Sequence, residues 1–110
     1  MTLREKQSLF LFNVSRLIAW SQGQGFDLTG GELWRTDEQQ AIYLRNGKSK
    51  APRSKHQDRL AIDLNLFIGG VYKTDSESYK PLAEFWESLH PDNRAGYRWG
   101  WDANHFQFGV

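Results

Sequence analysis

Cysteine is absent from the 110-residue chain, and long uninterrupted hydrophobic runs are absent too. Without cysteine the chain forms neither a disulfide nor a thiolate metal site, so any metal must be held by histidine and carboxylate side chains. The first twenty residues contain an apolar run, but Asn13, Ser15 and Arg16 interrupt it and no small-residue cleavage site follows. This segment therefore predicts neither a signal peptide nor a membrane span.

An excess of charge of one sign is also lacking, since 14 basic and 13 acidic residues leave a formal net charge of +1. Such balance gives no general reason to expect a nucleic acid or a membrane surface as partner. Hydrophobic residues nevertheless make up 39% of the chain and aromatic residues 15%, far more than a disordered chain contains. The length and this apolar content predict one compact domain over residues 1–110.

Capping patterns predict two helices in the first half of the chain. Thr2 and Thr36 are each followed three residues later by Glu or Gln, which is the spacing of a capping box. The first helix is expected to end near Gly23 and the second at Asn46–Gly47. The apolar face of the first helix is expected to include Leu9, Phe12, Leu17 and Trp20.

Alternating hydrophobicity predicts strands in the second half. Residues 60–68 alternate, with Asp63 on the face opposite the large aliphatic side chains. Gly69–Gly70 predicts a hairpin turn into a short partner strand. Residues 105–110 alternate again and are expected to form the last strand.

The remaining segments complete an α+β pattern. Residues 26–34 are turn-rich with a short strand, and residues 48–59 form a basic loop. Pro81 suits the first turn of a third helix, which is expected to end near His90. Helices and antiparallel strands in this order predict an α+β fold, with a small antiparallel sheet flanked by helices.

Asp63 is the first candidate functional residue, because it interrupts an otherwise apolar strand. Burying a carboxylate is costly unless it is paired or bound to a metal. Strand alternation places Asp63 on the less apolar face, where a cleft could lie. The alternative is a solvent-facing acid on a half-exposed sheet.

Two histidines are placed so that they could join Asp63. His56 precedes it by seven residues, while His105 begins the last predicted strand, three residues after Asp102. If that strand lies beside strand 60–68, two imidazoles and one carboxylate meet. Three protein ligands and an open position are typical of catalytic rather than structural zinc sites.

Asp102 and the remaining aromatic and histidine residues near the end of the chain have alternative roles. A carboxylate beside such a metal can take a proton from water and pass it to a leaving amine, or it can orient a histidine. His90 lies at a helix end, where a cation suits the helix dipole, and is not expected to be a ligand. Trp99 and Trp101 are expected to pack in the core, with Trp101 alternatively walling a cleft.

These residues resemble a known family, the zinc D-alanyl-D-alanine carboxypeptidases and L-alanyl-D-glutamate endopeptidases of bacterial cell walls. The family's Ser-x-His followed by Ala-x-Asp resembles Ser54–His56 and Ala61–Asp63. Its Trp-Gly, acid and His-Phe block resembles Trp99–Phe106, and an upstream Arg-Ser/Thr-x-Glu-Gln element resembles Arg35–Gln39. The resemblance spans roughly residues 34–108, which is most of the chain.

The resemblance implies a fold shared with the hedgehog signalling domain and a role for each matched residue. His56, Asp63 and His105 would bind Zn²⁺, and Asp102 would be the general base. Arg35 and Ser54 would bind substrate, for which a guanidinium is suited because it forks onto carboxylates and polarised carbonyls.

Two departures from the family pattern bear on the activity. Arg59 stands where many members carry glycine, which could alter the loop or substrate access. Asp102 stands where many carboxypeptidases carry glutamate, and this version resembles the phage endolysin branch. The resemblance therefore implies a hydrolase of peptidoglycan stem peptides that cuts the L-alanyl-D-glutamate bond, with a D-alanyl-D-alanine carboxypeptidase as the alternative.

Other classes of function remain open from the sequence. The fold could serve a non-catalytic domain that binds wall peptides or a protein. The basic run from Arg45 to Arg59 could contact nucleic acid, but it has no interleaved aromatics and is typical of a solvated surface. We expect a monomer made in the cytoplasm, without membrane insertion, that reaches the cell wall through a separate holin-type pore.

Overall fold

Three helices and five strands form within residues 1–109, the part of the chain that the computed structural model describes. The helices are α1 (Leu3–Gly23), α2 (Asp37–Arg45) and α3 (Lys80–Leu89). The strands are β1 (Phe26–Gly30), β2 (Ala61–Ile68), β3 (Val71–Tyr72), β4 (Asn93–Ala95) and β5 (His105–Phe108). Short 3₁₀ turns cover Lys55–Asp58, Ser76–Tyr79 and Gly96–Trp99. Val110, which the sequence places in the last strand, lies outside the described residues.

The strands form one antiparallel sheet in the order β1-β2-β5-β4, with β3 paired to β2 through the predicted Gly69–Gly70 turn. The α+β fold with a small antiparallel sheet is therefore confirmed. The last strand does lie beside β2, and the register sets Asp63 directly opposite His105. This pairing fixes where the candidate site forms.

Helix α1 begins at the predicted capping box. The Thr2 side chain accepts from the Glu5 amide at 3.2 Å, and Glu5 accepts from the Thr2 amide at 2.9 Å. The predicted position of Phe12 is wrong, because its side chain is 60% exposed. Phe10, two residues earlier, faces the core together with the residues three, four and seven positions after it. Helical geometry therefore turns Phe12, which lies outside this set, away from the core.

The core lies between α1, α3 and one face of the sheet. Trp86 of α3 is fully buried, with Phe10 and Phe106 packed edge-on at ring-centroid distances of 5.7 and 6.1 Å. Its indole N–H donates to the carbonyls of Arg94 and Gln107 at 3.1 Å, so no polar group of the ring is left unsatisfied. This packing anchors β4 and β5 to the helical layer. None of the helices in residues 1–109 is long and apolar enough to cross a membrane.

Arg59, between the Lys55–Asp58 turn and β2, has φ +56° and ψ +38°, and it is the one non-glycine residue with positive φ in residues 1–109. A side chain in this left-handed conformation costs roughly 1 kcal/mol or more relative to glycine. Glycine at this position would adopt the same backbone without that cost. The Arg59 guanidinium lies over the Trp34 ring, 4.7 Å from its centroid.

We expect Arg59→Gly to be more stable than Arg59→Ala by about 1 kcal/mol in urea unfolding. Both changes remove the stacked guanidinium, and only alanine keeps the left-handed penalty. Arg16 is the matched control, because it also lies over an exposed aromatic ring, that of Phe12, but within α1. At this helical position Arg16→Gly should be less stable than Arg16→Ala by about 1 kcal/mol. Equal stability of the two Arg59 variants would contradict the backbone argument.

Candidate active site

Three side chains from two strands and one turn meet above the sheet. Asp63 lies on β2, His105 lies opposite it on β5, and His56 comes from the 3₁₀ turn that precedes β2. Asp63 Oδ1 is 3.2 Å from His56 Nε2 and 3.5 Å from His105 Nδ1. One possible ligand atom from each residue lies within 4.8 Å of the others. We call these three residues the His-Asp-His triad.

The triad is set into the protein rather than spread over its surface. His56 is 1% exposed and His105 5% exposed, while Asp63 is partly open to solvent. Gly31 packs against Asp63, and a Cβ added there would lie 3.0 Å from the aspartate Cβ. The amide of Gly31 also donates to the Asp63 carbonyl at 2.8 Å, which ties the end of β1 to the site.

The orientation of His56 is set by a backbone carbonyl. Its Nδ1 is 3.1 Å from the Leu33 carbonyl oxygen. A carbonyl oxygen only accepts, so Nδ1 must carry the proton of the neutral imidazole. The lone pair is then on Nε2, the atom that faces Asp63 Oδ1.

Asp63 is ionised and its inner oxygen is unsatisfied. Burial alone would raise the pKa of Asp63, but hydrogen bonds and charge from His105 and His56, which act when these rings are protonated toward Asp63, outweigh it and lower the pKa to about 2. Although both imidazoles lie near Oδ1, this buried oxygen has no hydrogen-bond partner among residues 1–109. A buried anionic oxygen beside a nitrogen lone pair is the environment that a divalent cation satisfies. Two imidazole nitrogens and one carboxylate oxygen fit Zn²⁺.

Asp102 lies beside the triad. Its Oδ2 is 3.6 Å from His105 Nδ1, and about a quarter of its side chain is exposed. Burial raises the pKa of Asp102 above its ordinary value, although the charge of His105 opposes that shift. Burial also disfavours charging of His105, yet contacts with Asp63, Gln107 and Asp102 raise its pKa. Asp102 is therefore a partly open carboxylate within reach of a molecule bound at the triad.

Gly96 permits the approach of the loop that carries Asp102. A Cβ added to Gly96 would lie 2.0 Å from the Asp102 carbonyl oxygen and 3.0 Å from His105 Cβ. Because the nearest atom belongs to the backbone, it cannot swing away as a side chain would. Any larger residue must push the Asp102 loop off the site.

We expect Gly96→Ala to lower the free energy of unfolding by about 1–3 kcal/mol, the usual cost of overpacking. Any activity of the site should fall by up to about 100-fold, because a 1 Å misplacement can cost that much. Gly30→Ala is the control, since a Cβ on Gly30 meets nothing within 4 Å. Thermal unfolding and turnover measured on both variants test this, and wild-type behaviour of Gly96→Ala would contradict the packing argument.

Arg35 is held rigidly at the edge of the triad. Its Nε donates to Glu32 Oε1 and its Nη1 to Gln40 Oε1, both at 2.6 Å, and Nη2 also pairs with Glu32. The guanidinium lies over the Tyr43 ring at 4.7 Å, and the Arg35 amide donates to the His56 carbonyl at 3.3 Å. The predicted site residue Arg35 is therefore brought next to the triad.

The sequence analysis did not predict the three residues that hold the Arg35 guanidinium in place. Glu32 lies two residues after the end of β1, while Gln40 and Tyr43 lie on α2. Gln40 is buried and donates to Ser49 Oγ and to the Ala51 carbonyl at 2.9 and 2.7 Å. In the sequence, Gln40 is only a polar residue on a short predicted helix. That position does not indicate its contacts with the loop at residues 49–51.

Ser54 lies in the cleft wall, where it caps the turn that carries His56. Its hydroxyl accepts from the His56 amide at 3.2 Å, and its own amide donates to Gln57 Oε1 at 2.7 Å. His90 lies elsewhere, at the end of α3, where its Nδ1 accepts from the Asp92 amide at 3.0 Å. The structure thus places Ser54 in the wall of the cleft and His90 at the end of α3, away from the triad.

A cleft of about 680 Å³ opens over the triad. Trp99 and Trp101 are 42% and 47% exposed and line this cleft, so the predicted core packing is wrong, whereas the alternative given for Trp101, a cleft wall, is confirmed. Trp99 packs 5.2 Å from the His105 ring, and Lys50 lies over Trp101 at 4.9 Å. Trp99 ends the Gly96–Trp99 turn and Trp101 follows Gly100, whose φ is +83°, so both lie on an irregular loop where hydrophobicity alone does not predict burial. The predicted solvated surface of the basic run is in part a cleft wall, formed by Lys48, Lys50, Arg53 and Lys55.

Comparison with known proteins supports the fold. A similar solved structure is the L-Ala D-Glu endopeptidase ChiX of Serratia marcescens, with a TM-score of 0.68 and 23% sequence identity. The match covers 86% of this chain and 76% of that chain. No family model matches the sequence, and no curated protein matches it. At this identity the likeness shows a shared α+β fold.

Proposed function

We propose that this chain is a zinc-dependent peptidase of peptidoglycan stem peptides, with the L-alanyl-D-glutamate bond as its substrate. The observation that carries the proposal is the His-Asp-His triad at the base of a cleft, with the carboxylate of Asp102 beside it. The choice of bond is supported by the fold shared with a protein named an L-Ala D-Glu endopeptidase. The motifs that resemble the wall-peptidase family provide independent support.

The triad would hold the metal through His56 Nε2, His105 Nδ1 and Asp63. When bound, Zn²⁺ supplies Lewis-acid chemistry that polarises a peptide carbonyl and makes water a competent nucleophile near neutral pH. The protein's own part is to provide three ligands on rigid elements and to leave the cleft side open. Strands β2 and β5 provide that rigidity, because Asp63 and His105 are direct partners in the sheet.

Asp102 would move the proton. It accepts a proton from the attacking water on Oδ2 and donates it to the amine nitrogen as the carbon–nitrogen bond breaks, so the carboxylate is restored after each cycle. Its position beside His105, rather than among the three closest ligand atoms, suits a base better than a fourth ligand.

Arg35 would hold the substrate. Glu32 pairs with the Nε–Nη2 edge of its guanidinium and Gln40 accepts from Nη1, which leaves one donor each on Nη1 and Nη2. A fixed guanidinium suits a carboxylate or a polarised carbonyl. Ser54 would position substrate from the same wall, and exposed Lys48 and Lys50 add positive charge that complements an acidic stem peptide.

Digestion of purified peptidoglycan tests the proposal. The zinc-loaded protein should release fragments that carry a new L-alanine carboxyl end and a new D-glutamate amino end, both identifiable by mass spectrometry. A chelator should stop the release and added zinc should restore it. Free D-alanine as the product would instead identify a carboxypeptidase. No released fragment at any zinc concentration would leave a binding domain as the better assignment.

We further propose that the protein acts as a monomer in lysis of the endolysin type, over residues 1–110 as one zinc peptidase domain. The endolysin role is supported by the resemblance of Asp102 to the phage endopeptidase branch. It would reach the wall through a separate holin-type pore. Expression with and without a holin tests this, since lysis should require both proteins, and lysis by the chain alone would contradict the pore requirement.

A further inference from the structure

We infer that Gln107 is a positioning residue, whose carboxamide holds His105 with the Nδ1 lone pair directed into the His-Asp-His triad. This inference rests on the proposed function, because it concerns how a metal ligand is presented. Gln107 was not among the residues that the sequence motifs indicated. It is buried on β5, two residues after His105, so strand alternation puts both side chains on one face.

The orientation of the Gln107 side-chain amide follows from its contact with Gly109. Gln107 Nε2 donates to the Gly109 carbonyl at 2.7 Å. A carbonyl only accepts, so the NH₂ group must be the end that faces Gly109. The Gly109 carbonyl is itself held in place, because the Gly109 amide donates to the Asp92 carbonyl at 2.8 Å.

The other end of the amide then decides the state of His105. Gln107 Oε1 lies 2.8 Å from His105 Nε2. Because this oxygen only accepts, Nε2 must carry a proton, and the lone pair of the neutral ring is left on Nδ1. Nδ1 is the atom that lies 3.5 Å from Asp63 Oδ1. Gln107 thus does for His105 what the Leu33 carbonyl does for His56.

Such outer contacts to a ligand histidine affect metal binding measurably. Losing one usually weakens metal affinity by about 10- to 100-fold. A glutamine that only filled space would affect folding stability and leave the affinity of the folded protein unchanged. Metal affinity therefore separates a positioning role from a packing role.

The experiment is a competition titration of Zn²⁺ against a chromophoric chelator for four proteins. Gln107→Leu should raise the zinc Kd by about 10- to 100-fold relative to wild type. Gln107→Glu keeps an acceptor facing His105 but loses the donor to the Gly109 carbonyl, so it should bind zinc more tightly than Gln107→Leu and less tightly than wild type. Asn13→Leu is the matched control, because this buried amide side chain lies on α1, outside the cleft. Its zinc Kd should remain that of wild type.

Nuclear magnetic resonance of the ¹⁵N-labelled, zinc-loaded wild type gives a second readout that needs no variant to fold. It should show an exchange-protected Nε2–H on His105 and no proton on Nδ1. A metal bound through Nε2, or an unchanged Kd in Gln107→Leu with normal peptidoglycan digestion by wild type, would overturn the role of Gln107 alone. Wild type that binds no divalent metal would overturn the proposed function and this inference with it.

Discussion

Replacing Asp102 with asparagine should lower kcat on peptidoglycan fragments by about 10²–10⁴-fold, the range that general acid–base catalysis contributes. Asparagine keeps the size and shape of the side chain but cannot accept the proton of the attacking water. Because the lost interaction is made only in the transition state, kcat and kcat/KM should fall together and KM should stay near wild type. Steady-state digestion of a soluble stem peptide measures all three quantities.

The metal content of the same variant separates a base from a ligand. Asp102→Asn should still bind one zinc ion per chain at saturating zinc, because the three closest ligand atoms belong to other residues. Asp102→Glu is the conservative partner and should retain part of the activity. Near wild-type kcat in Asp102→Asn would remove the residue from the mechanism. Loss of the zinc ion would instead make Asp102 a ligand.

Replacing Asp63 with asparagine should weaken zinc binding by more than about 100-fold, since loss of an outer contact alone costs about 10- to 100-fold. The change removes the negative charge between the two imidazoles while it keeps the shape of the side chain. Activity should be lost at zinc concentrations that saturate wild type and should return in part when zinc is raised. Equilibrium dialysis followed by elemental analysis measures the binding.

Asp27→Asn is the control for this experiment. Asp27 is also a strand aspartate, but it is exposed on β1 and outside the cleft. The Asp27→Asn variant should bind zinc with the affinity of wild type. Equal zinc affinities of Asp63→Asn and wild type would mean that the metal is held elsewhere or not at all.

The convergence of the triad could be predicted because it depends on local and periodic features. Alternation along residues 60–68 fixes the face of Asp63, and the pairing of β2 with β5 then brings His105 opposite it. The capping box at Thr2 is local as well, and both of its hydrogen bonds form. At Thr36 only the hydrogen bond from the Gln39 amide to the Thr36 hydroxyl forms, yet the helix begins there as predicted.

Other features depended on contacts between distant parts of the chain, which spacing does not encode. Strand β4 has three residues, too few for alternation to be visible, and it forms because β5 provides hydrogen-bond partners. The need for glycine at position 96 arises from the nearby Asp102 carbonyl and His105 Cβ. The exposure of Trp99 and Trp101 likewise follows from the path of their loop rather than from their hydrophobicity.

The contacts that support the site could not be predicted from the sequence for a related reason. Glu32 and Gln40 are polar residues in segments that look solvent-exposed, and only the fold turns them toward Arg35. Gln107 looks like the polar member of an alternating strand, yet it is buried and faces His105. Sequence motifs indicate the groups that do chemistry, whereas the residues that orient those groups emerge from tertiary structure.

Anomalous diffraction at the zinc absorption edge, recorded from a zinc-soaked crystal, tests whether the His-Asp-His triad binds the metal. We expect one strong anomalous peak at about 2.0–2.2 Å from His56 Nε2, His105 Nδ1 and an Asp63 carboxylate oxygen, the usual distances for zinc ligands. A saturated crystal with no peak at this position, or with its peak at another group of residues, would contradict it.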